Sequence, residues 1–168
     1  MKQYNIQEQS TMKKIFSVNN TSNTTDVALL IARVGVAALM LTHGIPKLMT
    51  LLSGTPVQFP PIMGMSAETS LALAVFAEVF CSVFLLAGFA TRLAVLPLIV
   101  TMLVAVLFIH AADPIAVKEP ALHYLLVYIV LLFAGSGKYS IDHLLQSKRT
   151  TASYKSVQVK DQALAIYQ

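Results

Sequence analysis

Charged residues are scarce in this sequence, tryptophan is absent and cysteine occurs only once. Only 12% of the 168 residues are charged, against about 25% in soluble domains, which excludes an ordinary soluble domain. The single cysteine, Cys81, lies in an apolar run. An intramolecular disulfide and a CxxC dithiol mechanism supplied by this chain are therefore excluded. Any redox function would need another electron carrier.

The net charge of +4 is not arranged as a nucleic-acid-binding surface. Lys and Arg are concentrated in the two terminal segments, and no aromatic residues alternate with them. Basic termini suit the anionic cytoplasmic face of a membrane, so we expect the lipid bilayer as a partner and no nucleic acid. Residues 1–26 have no apolar segment of the kind found in signal peptides, and we expect a polar N-terminal tail.

Apolar residues make up 56% of the sequence and are concentrated in four segments. They predict an all-α fold, an integral membrane four-helix bundle with antiparallel up-and-down topology over residues 27–145, followed by a polar tail over 146–168. Asp26 and Ser66 are expected to cap the first two helices, and Pro120 to begin the fourth. The four segments are 27–52, 67 to about 90, 93–112 and 121–135.

The distribution of Lys and Arg predicts the orientation of the bundle. Three of these residues precede the first helix, Arg92 lies between the second and third helices, and five follow the fourth, which gives nine on one side. Lys47 and Lys118 are assigned to the other side. Because positive loops stay in the cytoplasm, both termini are expected to be cytoplasmic, in the inner membrane.

Arg33 and Glu78 are ionisable residues within apolar segments, where an isolated charge costs about 3 kcal/mol. If His43 ends the first helix and Thr69 begins the second, a rise of about 1.5 Å per residue places both charges roughly 14 to 15 Å below the outer boundary. The matching depths predict an intramembrane ion pair between Arg33 and Glu78. Such a pair would serve a functional site or only fix the helix register.

Three histidines are expected near the outer ends of the helices. His43 and His110 are placed at the ends of the first and third helices and His123 at the start of the fourth, with Lys47 one turn after His43. Imidazoles at one depth could bind a metal or a haem or donate to a quinone carbonyl, or they could simply reach the headgroups. HxxxH, HExxH and CxxCH motifs are absent, so no metal is predicted. The candidate ligand-binding residues are His43, Lys47, Glu78, His110 and His123.

The order and spacing of several short motifs resemble the DoxX family of small four-helix membrane proteins. The family includes subunits associated with quinone-linked sulfur oxidation and with membrane oxidoreductase complexes. The resemblance implies a four-helix membrane domain and singles out Arg33, Lys47, Glu78, Arg92 and His110. The motifs are Arg33 with Gly35, His43-Gly44-x-x-Lys47-Leu48, Glu78, Gly88-x-x-x-Arg92, His110, and Gly135-Ser136-Gly137 with Ser140-Ile141-Asp142.

Two functions follow from these residues. The first is a subunit or accessory of a quinone-linked membrane oxidoreductase system, with a quinone as the bound cofactor and another membrane or redox subunit as partner. The alternative is a non-enzymatic module, either a small-ligand or proton-coupled permease or an assembly factor for a membrane complex. A quinone site should be a lateral cleft with apolar walls and His or Lys at its mouth, whereas a permease needs a wet path from Glu78 to both faces. No residue is assigned a catalytic role.

Overall fold

The computed structural model describes residues 22–148, which contain helices and turns but no strand. Four of the helices are long and apolar enough to cross a membrane, so the predicted all-α membrane fold is confirmed. They are α1, Ser22–Leu52; α2, Ala67–Ala87; α3, Thr91–Ile109; and α4, Ile115–Ala134. A short helix follows over residues 141–148. Most of the two predicted tails, residues 1–21 and 149–168, lies outside the described residues.

Helix α1 begins earlier than expected and ends at Leu52, the last residue of the predicted apolar segment. It begins at Ser22, so Asp26 lies inside the helix and is not its cap. The Asp26 carboxylate instead accepts the backbone N–H of Lys138 at 3.0 Å. At the other end, α1 continues through Pro46 to Leu52, and the expectation that His43 marks its outer end is wrong.

Helix α2 contains one wide π-helical turn, Phe76–Cys81, within an otherwise α-helical segment. Its start is as predicted, because the Ser66 side chain accepts the backbone N–H of Thr69 at 3.2 Å. The π turn carries the only intramembrane carboxylate of α2, Glu78, and turns it into the protein. Such turns often occur at functional sites.

Helix α4 begins at Ile115, five residues before the expected start at Pro120. The segment predicted from sequence was short for a bilayer, and these residues lengthen it to 20. His123 therefore lies inside α4 and does not open it. Helix α3 ends at Ile109, three residues before the end of its predicted segment, and His110 follows its last π turn, Ala105–Ile109, as expected.

The core of the bundle consists of apolar side chains that are buried between the helices. Ala37, Leu85, Val95, Leu98 and Leu131 come from all four helices and are fully buried. The outer surface carries large apolar side chains, as expected for a protein that faces hydrocarbon instead of water.

Candidate functional site

An ion pair between α1 and α2 lies at the centre of the candidate site. Lys47 Nζ donates to Glu78 Oε1 at 2.5 Å. The Glu78 side chain is only 2% exposed, whereas that of Lys47 is 33% exposed. A carboxylate buried in an apolar bundle needs such a partner, and the extension of α1 past His43 is what brings Lys47 to it.

Gly44 allows the two helices to approach each other at this pair. A Cβ atom on Gly44 would lie 2.8 Å from Val79 Cγ2 and 3.0 Å from the backbone carbonyl carbon of Glu78. Both distances are shorter than a normal van der Waals contact. The absence of a side chain at Gly44 thus lets α1 pass directly over the π turn, as small residues do in other membrane helix pairs.

The predicted ion pair between Arg33 and Glu78 is wrong. Glu78 pairs with Lys47, and Arg33 donates to the backbone carbonyls of Ser136 and Tyr139 at 3.0 and 2.7 Å. The depth estimate counted from His43 as the end of α1, but that helix continues to Leu52. Arg33 instead lies beside Gly88, ten residues or about 15 Å along α2 from Glu78.

A large cleft opens next to the ion pair, with a volume of about 980 Å³. Most of its walls are apolar side chains of α2 and α3, and residues of the loop between α1 and α2 complete its outer part. Lys47 and Glu78 are the only Lys, Arg, Asp or Glu among its lining residues. Apolar lining residues include Phe59, Ile62, Met65, Leu73, Phe76, Cys81, Leu93, Leu96, Val100 and Ala121.

The structure brings two of the three predicted histidines to this cleft. His43 lines it and contacts the Tyr124 ring edge-on, with 5.9 Å between the ring centroids. His110 also lines it, and its Nδ1 is 2.7 Å from the Asp113 carboxylate. His123 is not among the lining residues; it is exposed, and its Nδ1 is 2.8 Å from the Glu119 carbonyl in its own helix.

The DoxX family model matches residues 28–111, half of the chain. This protein belongs to the DoxX family. No curated protein and no solved structure matches it. The match contains Arg33, Lys47, Glu78, Arg92 and His110, the residues that the resemblance singled out, and ends before α4.

The characteristic residues of this DoxX protein fall into two groups in space. Lys47, Glu78 and His110 line the cleft, whereas the two arginines lie at the opposite end of the bundle. There Arg33 donates to the segment after α4, and Arg92 donates to the Phe133 carbonyl at 3.2 Å. The arginines therefore hold the helix ends together and do not belong to the cleft.

The Gly-Ser-Gly to Ser-Ile-Asp segment completes this second group. The Asp142 carboxylate accepts the backbone N–H groups of Ala90 and Thr91 at 2.7 and 3.0 Å. It thereby caps the start of α3, where Ala90 has a positive φ of 47°. The Asp142 N–H donates in turn to the Gly88 carbonyl at 3.0 Å. These hydrogen bonds join the segment after α4 to the turn between α2 and α3, so we interpret this part of the family pattern as stabilising the fold.

Several buried polar atoms near the ion pair were not expected from the sequence. Glu78 Oε2, Ser82 Oγ and Tyr128 Oη are shielded from solvent and have no hydrogen-bond partner. The rings of Tyr124 and Tyr128 stack with centroids 6.2 Å apart, and of the two only Tyr124 lines the cleft. Ser82 follows Glu78 by one helical turn, a spacing that would have identified it.

Metal binding finds no support in the described part of the chain. No group of three or more His, Cys, Asp or Glu side chains comes together there. Cys81 lines the cleft as a buried free thiol and has no second thiol beside it. The polar groups of the cleft are therefore chiefly the ion pair, two imidazoles and the Tyr124 phenol.

Proposed function

We propose that this DoxX protein binds a quinone-class molecule in the cleft beside Lys47 and Glu78, as a subunit or accessory of a quinone-linked membrane oxidoreductase system. The observation that carries the proposal is a large apolar cleft with a single ion pair in its wall. Ligand sites are mostly apolar with a few placed polar groups, and their volumes are roughly 300–1,000 Å³. The volume of about 980 Å³ suits a ring with an apolar tail.

The lipid-facing side of the cleft supports lateral entry. Leu73, Phe76 and Leu93 line the cleft and are also 52%, 50% and 68% exposed. In a membrane, these side chains face acyl chains, so an apolar tail can leave the cleft between α2 and α3 without meeting water. His110 and Lys47 then offer polar contacts to the head of the molecule.

The alternative, a permease, has less support. A permease requires a hydrated path on both sides of Glu78. About two turns after Glu78, Leu85 is fully buried, together with Leu98 and Leu131 of the neighbouring helices. These side chains close the interior between Glu78 and the end of the bundle that holds Arg33. An assembly role is compatible with the fold but uses no feature of the cleft.

The proposed membrane arrangement is an antiparallel up-and-down bundle in the inner membrane with both termini cytoplasmic. Two contacts between α1 and α2 support the antiparallel order, because Gly44 meets Glu78 while the earlier Arg33 meets the later Gly88. The end of the bundle that contains Arg92 and the segment after α4 carries most of the Lys and Arg. Lys47 is part of the ion pair, which leaves Lys118, in the first turn of α4, as the only Lys or Arg assigned to the outer side.

Binding of a short-chain quinone to the purified protein in nanodiscs tests the proposal. We expect saturable binding that His110→Ala weakens, because the imidazole lines the cleft. The matched control is His123→Ala, which removes the same group from a position outside the cleft and should not change the affinity. Absent binding to the wild-type protein, or equal losses in both variants, would contradict the proposal and favour the non-enzymatic module.

A further inference from the structure

We propose that the cleft holds the polar head of its ligand through a hydroxyl group that donates to Glu78, so that a quinol or another phenol is preferred over a quinone carbonyl. This inference rests on the proposed function, since it assumes that an amphiphilic molecule enters the cleft. It adds which chemical form of the head the protein recognises.

The free oxygen of Glu78 is the first reason. Oε1 accepts from Lys47, whereas Oε2 has no partner and is buried with the rest of the side chain. A carboxylate in an ion pair can accept hydrogen bonds but has none to donate. A ligand hydroxyl satisfies this buried oxygen, whereas a carbonyl would place a second acceptor against it.

The hydroxyl groups around Glu78 are the second reason. Ser82 Oγ, one turn after Glu78, and Tyr128 Oη, whose ring stacks on that of Tyr124, are buried without hydrogen-bond partners. A ligand hydroxyl that donates to Glu78 keeps two lone pairs, with which it can accept from the Tyr124 phenol in the cleft wall.

His110 adds an acceptor at another point of the cleft. Its Nδ1 is 2.7 Å from Asp113 Oδ2, and a carboxylate accepts. In the neutral imidazole the proton is therefore assigned to Nδ1, which leaves Nε2 as an acceptor. Lys47 is the exception: it is 33% exposed and has N–H groups left for a carbonyl. A quinone should therefore bind more weakly, but not fail to bind.

A matched pair of redox-inert probes tests this preference directly. A para-alkylphenol and its methyl ether carry the same ring and tail, but only the phenol can donate. We expect wild-type protein in nanodiscs to bind the phenol about tenfold more tightly, as for a hydrogen bond to a charged group. Glu78→Gln should bring the ratio close to one. Glu68→Gln, which changes an exposed carboxylate outside the cleft, should leave the ratio unchanged.

The ratio of the phenol and ether affinities of the wild-type protein tests the hydroxyl preference even if Glu78→Gln does not fold. Equal affinities of phenol and ether would overturn the hydroxyl preference and leave the proposed ligand site intact. A ratio that persists in folded Glu78→Gln would also overturn it, because another group would then be the acceptor. If the short-chain quinone, the phenol and the ether all fail to bind to wild-type protein, the proposed function falls with the inference.

Discussion

Lys47 Nζ lies 2.5 Å from Glu78 Oε1, at the point where α1 passes over the π turn of α2. The two charges lie in helices long and apolar enough to span a membrane, and the pair lines a cleft that is otherwise nearly free of charge. Their attraction is strong in a medium of low dielectric constant, and each would be costly to leave alone. The energetic coupling of the two side chains is therefore the most direct test of the structure.

The first prediction is that Lys47 and Glu78 are strongly coupled. Lys47→Met or Glu78→Gln alone should lower the free energy of unfolding by about 3 kcal/mol, because a buried pair loses one partner. The double variant should cost clearly less than the sum of the two. The free energies can be measured by reversible unfolding in mixed detergent micelles. Strict additivity would mean that the ion pair contributes nothing.

A second cycle, with Arg33→Gln and Glu78→Gln, is the matched control. Arg33 donates to the carbonyls of Ser136 and Tyr139 and shares no partner with Glu78. Substitutions at distant sites without common partners add within about 0.5 kcal/mol. Coupling in this cycle as large as in the first would favour the pairing expected from sequence over the observed one.

The second prediction concerns the glycines of α1. Gly44→Ala should destabilise the protein by about 2 kcal/mol, because the new methyl group would meet Val79 and the Glu78 backbone. Gly35→Ala is the matched control in the same helix, since nothing lies within 4 Å of the position that its methyl group would take. It should be neutral or stabilise by up to about 1 kcal/mol through helix propensity. Equal effects at both positions would contradict the close approach of α1 and α2.

The sequence was sufficient to predict the four membrane helices and four of the polar residues that line the cleft. Apolar segments of bilayer length are a strong signal, and a charge within one of them calls for a partner. His43, Lys47, Glu78 and His110 were all chosen as polar groups within or at the ends of such segments, and all four line the same cleft. The depth estimate did not identify Lys47 as the partner of Glu78, because it took His43 as the outer end of α1.

Helix ends were the weak point of the sequence reasoning. His43-Gly44 and Pro46 look like signals that end a helix, yet α1 continues through them to Leu52. Inside a membrane the backbone must satisfy its own hydrogen bonds, which favours continuing the helix over opening a loop. Because the depth of Arg33 was counted from His43 and not from Leu52, Arg33 was placed too close to the outer boundary and was paired with Glu78. The π turn was not predicted either, because apart from Glu78 its residues are as apolar as their neighbours.

The third prediction separates the two causes of strain at Gly88. Its φ of +65° is unfavourable for any other residue, and a Cβ there would also collide with Arg33 and lie 2.6 Å from Ser140 Cβ. Gly54, with a φ of +67°, has nothing within 4 Å and is the matched control. Gly54→Ala should cost about 1 kcal/mol from backbone strain alone, and Gly88→Ala about 3 kcal/mol or more. Similar losses of unfolding free energy would mean that Arg33 does not occupy this position.

The last prediction is that both termini are cytoplasmic. Apart from buried Arg33 and the paired Lys47, nine of the ten Lys and Arg residues belong to one side of the proposed bundle, and only Lys118 to the other. Cationic loops resist translocation, so the side with nine should stay inside. Fusions of a phosphatase, active only outside, and of a fluorescent protein, bright only inside, should be made after Lys14, Gln58 and Gln168. Only the Gln58 fusion should give phosphatase activity, and only the terminal fusions should fluoresce. Phosphatase activity at either terminus would reverse or break the proposed topology.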